Sequence, residues 1–123
     1  MLRSNPVFTR RIVAEGDKPM NREQAARKNH HSGYSCSSAV YRAFSDLVSG
    51  EAPIPRSEGG KCGAVLAAEK VLKQLGESSE TFDAQFLAQF HSLKCGDLRR
   101  AGFPCNGLVG TAARLADEAI GKS

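Results

Sequence analysis

Four cysteines are the residues most capable of chemistry in this chain of 123 residues, and each follows a helix-start signal. Ser35, a good N-cap, precedes the first of them, and each begins an apolar stripe along its helix. A helix N-terminus carries partial positive charge and unpaired N–H groups, so it favours a thiolate over a thiol. The pattern indicates chemistry at sulfur, either redox or metal ligation, carried by Cys36, Cys62, Cys95 and Cys105.

The elements that must position these thiols are helices. Apolar periodicity and capping residues predict six of them, at residues 21–31, 35 or 36–49, 61–75, 79–90, 95–101 and 105–120. Residues 50–60 form a proline- and glycine-rich linker, residues 1–20 a basic N-terminal extension, and residues 21–123 the helical domain. We expect an all-α, single-domain bundle of about five to six helices. Phe82, Phe86, Leu87 and Phe90 share one face of the fourth helix, and we expect the three phenylalanines to lie in the core.

Chain direction predicts where the cysteines lie in this bundle. The third and fourth helices are joined by a tight turn at Gly76, so we expect antiparallel neighbours with Cys62 and Cys95 at one end. The second helix is about 20 Å long. The linker after it, extended, spans up to roughly 36 Å and can return the chain to the end where Cys36 lies. Cys105 follows Cys95 after one short helix. We therefore expect a four-cysteine cluster near one end.

Charge and hydropathy exclude several classes of protein. The net charge is +4, and residues 1–31 hold seven of the 17 basic and three of the 13 acidic side chains. We interpret this segment as a solvated basic arm and do not expect nucleic-acid binding, since no aromatic residues interleave with its arginines. No apolar run approaches a membrane span, and no apolar leader precedes the domain. We therefore expect a cytoplasmic protein without membrane association, in a compartment where paired cysteines tend to be catalytic, sensing or metal-bound.

Three segments carry a resemblance to a known family: SGYSCSSAVYRAF, EGGKCGAVLAAEKVL and LKCGDLRRAGFPCNGLVGTAARLADE. Together they resemble the redox-active family named for its C…GCAxxG…C…C cysteine pattern, over about residues 21–120. The chain departs from that pattern at Ala67, where the family often has glycine. The resemblance implies a small helical protein with redox-active or metal-competent cysteines.

Dithiol–disulfide exchange is the first hypothesis, with all four cysteines as candidate catalytic residues. Lys61 and Lys94 precede Cys62 and Cys95, and a nearby positive charge lowers the pKa of a thiol. Flexible glycines also surround Cys62, so we choose it as the nucleophile, with Cys36 or Cys95 resolving the mixed disulfide. The partner would be a redox protein or a small thiol or disulfide. The chain has no C-x-x-C motif of the thioredoxin type.

Two alternatives remain open. Cys36, Cys62, Cys95 and Cys105 would make a four-thiolate site for zinc or an iron–sulfur cluster, although the spacing is not that of a zinc knuckle. The chain would otherwise be an oxidation-sensing regulatory or scaffold subunit, docked to its partner through the basic arm. A homodimer is compatible with each hypothesis.

Few other residues attract a chemical interpretation. His30 and His31 are either exposed residues at a frayed helix end or a base or extra ligand for Cys36. Arg99 and Arg100 form a solvated face, or bind an anionic substrate if they rim the cysteine end. No phosphate loop, Ser/His/Asp set or paired carboxylate motif occurs, so nucleotide hydrolysis and glycosidase chemistry have no support.

Overall fold

A computed structural model describes residues 21–121 of the chain, and these residues fold into helices without a β-strand. The predicted all-α bundle is confirmed. The N-terminal extension, residues 1–20, lies outside the described residues. The seven helices, of which α3 is a single irregular turn, are α1 (Arg22–His31), α2 (Cys36–Ala43), α3 (Ser57–Gly60), α4 (Gly63–Gln74), α5 (Glu80–Phe90), α6 (Cys95–Arg100) and α7 (Cys105–Gly121).

Local capping explains where the first two helices begin. The Asn21 side chain accepts from the Gln24 amide at 2.8 Å, and the Gln24 side chain accepts from the Asn21 amide at 3.3 Å, which completes a capping box for α1. The Ser35 hydroxyl accepts from the Ser38 amide at 3.1 Å and caps α2. Both starts agree with the sequence-based prediction.

The second helix is shorter than predicted, because it ends at Ala43 and not near residue 49. After it, the chain continues in turns, and the Leu47 amide donates to the Phe44 carbonyl at 2.8 Å. The Gln74 side chain of α4 binds both the amide and the carbonyl of Ser49, each at 3.0 Å. The Tyr41 hydroxyl donates to the same carbonyl. These tertiary contacts replace the helical bonds that the backbone of Ser49 would otherwise make.

Helix α4 corresponds to the third predicted helix and begins two residues later than predicted, because Lys61 and Cys62 are extended. The Cys62 amide donates to the Leu93 carbonyl at 2.8 Å, and Lys61 forms an antiparallel bridge with Lys94. Cys62 therefore occupies the N-cap position of α4 and is not within its first turn, which corrects the sequence-based placement. The bridge holds the start of α4 beside the segment that leads into α6.

The core lies between α1, α2, α4 and α7, and α5 packs mainly on α7. The helices α4 and α5 are not among the closely packed pairs, and they meet through the side chains of Glu69 and Asp83. On α5, the rings of Phe82, Phe86 and Phe90 are buried and stack in series, and Phe103 extends the stack at 4.9 Å from Phe90. The predicted burial of the three phenylalanines is confirmed, whereas Leu87, placed on the same face by the sequence, is 42% exposed. Among residues 21–121, no helix is both long and apolar enough to traverse a bilayer.

Candidate thiol site

Four thiols line one cavity of about 190 Å³ at one end of the bundle, as the sequence predicts. Cys36, Cys95 and Cys105 are the first residues of α2, α6 and α7, and Cys62 caps α4, so four helix starts meet at this cavity. All four cysteines are free. The remaining lining residues are Ser35, Pro55, Arg56, Gly63, Arg99 and Leu108.

A close approach between α2 and α4 brings two of these starts together. A Cβ atom at Gly63 would lie 3.1 Å from the Ser37 backbone nitrogen and 3.2 Å from the Pro55 side chain. Ser37 is itself fully buried, and its hydroxyl donates to the Pro53 carbonyl. Packing therefore favours glycine after Cys62, because a larger residue would need the Ser37 and Pro55 neighbours to shift by a few tenths of an ångström.

The Cys62 thiol is the most enclosed of the four, with 3% of the residue exposed. Burial raises its pKa, and the amides of Ala64 and Val65 offset this only in part. The expected lowering by Lys61 is absent because its ammonium lies 3.2 Å from both carboxylate oxygens of Glu69. The prediction of a lowered pKa at Cys62 is therefore wrong. Lys61 is adjacent to Cys62 in sequence, but in the folded protein its ammonium pairs with Glu69.

The Cys36 thiol has a strongly raised pKa, about 12. Burial is the largest cause, and the neighbouring Cys105 thiol is the next, ahead of Cys62 and Cys95. For Cys62, the strongest effect from another thiol comes from Cys95. Two pairs therefore interact most strongly: Cys36 with Cys105, whose side chain also hydrogen-bonds to it, and Cys62 with Cys95.

A histidine stands beside the first pair. The His30 ring is half-buried, and its Nε2 lies 3.9 Å from Sγ of Cys36. Its Nδ1 lies 3.4 Å from the side-chain amide nitrogen, Nδ2, of Asn106, the residue after Cys105. The sequence left open whether the two histidines are exposed at a helix end or lie beside Cys36. His31 is exposed, whereas His30 lies at the thiol site.

Hydrogen bonding to Arg27 determines which ring nitrogen of His30 carries the proton. The Arg27 guanidinium donates to Oδ1 of Asn106 at 3.3 Å, so the other amide atom of Asn106, which faces His30, is the donor nitrogen. Nδ1 of His30 must accept from it. In the neutral ring the proton is then on Nε2, directed at the sulfur of Cys36. Asn106 and Arg27 were not identified from the sequence, although Asn106 adjoins a candidate cysteine.

Arg99 lies at the cavity, whereas its neighbour Arg100 pairs with Asp97. This separates the two members of the predicted arginine pair. Tyr34 is 40% exposed and packs its ring against the Arg42 guanidinium at 4.4 Å. Arg56, in the loop before α4, was not singled out by sequence and has no motif that marks it.

The zinc alternative needs at least three donors converging on a single ion. No group of three or more His, Cys, Asp or Glu side chains within residues 21–121 is placed to hold a metal ion. The four thiols share a cavity without forming a tetrahedral donor set of the kind that structural zinc requires. The donor arrangement thus does not fit the metal.

Comparison with known proteins adds no family to this description. Protein-family models, curated proteins and solved structures all returned no match to the chain.

Proposed function

We propose that this protein is a thiol redox protein whose cysteine pairs undergo thiol–disulfide exchange with a disulfide substrate. The observation that carries the proposal is the meeting of four free thiols, from four separate helix starts, at one cavity. Cysteines that only fill space in a core have no reason to share such a location. The resemblance of the cysteine pattern to a redox-active family points the same way.

The entry thiols in this proposal are the half-buried Cys95 and Cys105, and not Cys62. Exchange needs a sulfur that an incoming disulfide can reach in line, and Cys62 is enclosed. The half-buried thiols open on the cavity, and each has a neighbouring cysteine that can complete the reaction. In the first pair, Cys105 attacks and Cys36 resolves.

The exchange proceeds in two displacement steps. The Cys105 thiolate attacks the substrate disulfide, so a mixed disulfide forms and the first substrate thiolate leaves and takes up a proton from solvent. The Cys36 thiol then loses its proton to solvent and attacks Cys105 sulfur. The protein disulfide forms, the second substrate thiol leaves, and two electrons have passed from the cysteine pair to the substrate.

The pKa of Cys36 couples these two steps. The charge of a Cys105 thiolate is the second-largest cause of its high value. A Cys105 sulfur in a mixed disulfide is neutral, so that cause disappears once the first step is complete. Cys36 therefore becomes a better nucleophile only when there is a mixed disulfide to resolve.

Anaerobic protein treated with a small neutral disulfide, 2-hydroxyethyl disulfide, tests the proposal. We expect reversible loss of free thiols, and peptide mapping should identify Cys36–Cys105 and Cys62–Cys95 cross-links. The variant Cys105→Ser should retain a free Cys36. Four thiols that stay free, or stoichiometric zinc or iron in the anaerobic preparation, would contradict the proposal. Oxidation that is reversible but never passes electrons to a second disulfide would indicate the sensing alternative.

A further inference from the structure

The wall of the cysteine cavity carries positive charge only. Two arginines, Arg56 and Arg99, line it, and among its described lining residues none is Asp or Glu. Several other grooves on the fold differ in this respect. The groove beside Lys61 and Lys73, for example, is also lined by Glu69, Glu77 and Asp83. An anion that enters the cavity of the thiols would therefore meet two guanidinium groups and no repelling carboxylate on its walls.

Neither arginine is neutralised by the protein. Within the described part of the chain, ion pairs engage Arg22, Arg27, Arg100 and Arg114, whereas Arg56 and Arg99 have none. Arg99 is one helical turn after Cys95, so both residues lie on the same face of α6. Arg100, the next residue, points its charge to Asp97. Of these two adjacent arginines, Arg99 lines the cavity and Arg100 forms an ion pair outside it.

Arg56 lines the cavity from a different segment, the loop before α4. Its backbone adopts φ 65°, a left-handed conformation that is uncommon for arginine. The Arg56 amide donates to the Lys61 carbonyl at 3.1 Å, which ties this loop to the residue before Cys62. The backbone of Arg56 is thereby tied to the segment that leads into Cys62, and both arginines line the cavity.

The backbone contributes charge of the same sign. The long helices α4 and α7, and the two-turn helix α2, all begin at the cavity. Each N-terminus contributes a partial positive charge, and these charges add to those of the two guanidinium groups. An anionic group near the thiols would be favoured by all of them.

Building on the thiol redox function, we propose that the substrate is a small disulfide carrying carboxylate groups, held by Arg56 and Arg99 while its sulfur meets the cysteines. A guanidinium binds a carboxylate through two parallel hydrogen bonds, which would orient the substrate as well as attract it. The volume of about 190 Å³ limits the occupant. Pockets for drug-sized ligands begin at about 300 Å³, so the cavity suits a short aliphatic disulfide and not a bulky one.

Three aliphatic disulfides of similar length but different charge test this substrate class. They are 3,3′-dithiodipropionate (anionic), 2-hydroxyethyl disulfide (neutral) and cystamine (cationic), with each rate divided by that of a free model thiol. We expect the anionic probe to be favoured about tenfold over the cationic one at low salt, with the preference falling as salt rises. The double variant Arg56→Gln/Arg99→Gln should abolish the preference, and Arg100→Gln, the matched control, should keep it.

Binding is measured separately with suberate, which has the length of dithiodipropionate but no sulfur. At constant ionic strength, suberate should slow alkylation of Cys95 and Cys105 in the native protein and not in the double arginine variant. Equal normalised rates for the three disulfides, with no protection by suberate, would overturn the substrate class and leave the exchange function standing. Protection by suberate without reaction of any disulfide would instead overturn the exchange function alone.

Discussion

Nε2 of His30 lies 3.9 Å from Sγ of Cys36 and carries the ring proton in the neutral tautomer that Asn106 requires. The histidine is therefore arranged as a donor to the sulfur and not as an acceptor of its proton. A donor of this kind stabilises a thiolate, so in the proposed exchange it would act when Cys36 becomes the attacking group. The position of α1 against α2 and α7 makes this contact.

Replacing that donor should make Cys36 less reactive. We expect His30→Ala to slow alkylation of Cys36 about fivefold at pH 8, which corresponds to about 1 kcal/mol of lost hydrogen bonding to the thiolate. His31→Ala is the matched control, because His31 is exposed on the same helix. Mass spectrometry of the Cys36 peptide over a pH series gives the rate. An unchanged profile in His30→Ala would show that the ring does not act on the sulfur.

Cys62 should be the slowest of the four thiols to react. Its burial both blocks reagents and raises its pKa, so we expect iodoacetamide to label it more than tenfold more slowly than a free model thiol. Unfolding the protein in guanidinium should remove the difference between the four cysteines. Site-resolved labelling by peptide mapping measures this order. Labelling of Cys62 ahead of Cys95 and Cys105 would instead restore Cys62 as the nucleophile.

The contact between α2 and α4 at Gly63 should be sensitive to a single methyl group. Gly63→Ala places a carbon 3.1 Å from the Ser37 backbone, so we expect a loss of about 1–3 kcal/mol in the free energy of unfolding. Gly96→Ala is the matched control, since its new carbon would meet only the flexible end of Arg100, at 3.5 Å. Urea denaturation measures both. A Gly63→Ala variant as stable as the native protein would show that the helices separate without cost.

The stability should depend on pH through Glu69. Burial, followed by the neighbouring Asp83 carboxyl, raises the pKa of Glu69 to about 7 from the ordinary value of 4.5, while Lys61 lowers it in part. Because the folded state holds the proton more tightly, its contribution is complete below about pH 4.5 and is lost as pH rises through about 7. The free energy of unfolding should fall from pH 5 to pH 8.

Glu69→Gln should remove this part of the pH dependence, because glutamine does not titrate. Glu118→Gln, at an exposed pair with Arg114 on α7, is the control and should keep it. Urea unfolding at a series of pH values measures the slope. A slope unaffected by Glu69→Gln would assign the dependence to another group.

Periodicity and caps predicted most helices to within one or two residues, because the signals that start and stop them are local. The capping box at Asn21 and the start at Ser35 depend on contacts within four residues. The predicted end of α2, at residue 49, was wrong for the opposite reason. Residues 44–49 are held in turns by Gln74, which is distant in sequence. Leu87 shares a predicted face with the phenylalanines but is exposed, since α5 buries only the narrow phenylalanine face.

The sequence by itself determined that four cysteines stand at helix starts and that the chain direction lets them meet. Only the tertiary structure decided their environments. It buried Cys62, directed Lys61 to Glu69, and placed His30 beside Cys36 and Arg99 at the cavity. The start of a helix depends on residues that are neighbours in sequence, whereas the pKa of a thiol depends on burial and on charges that other segments of the chain bring near it. That is why the meeting of the four thiols was predictable from the sequence and the raised pKa of Cys62 was not.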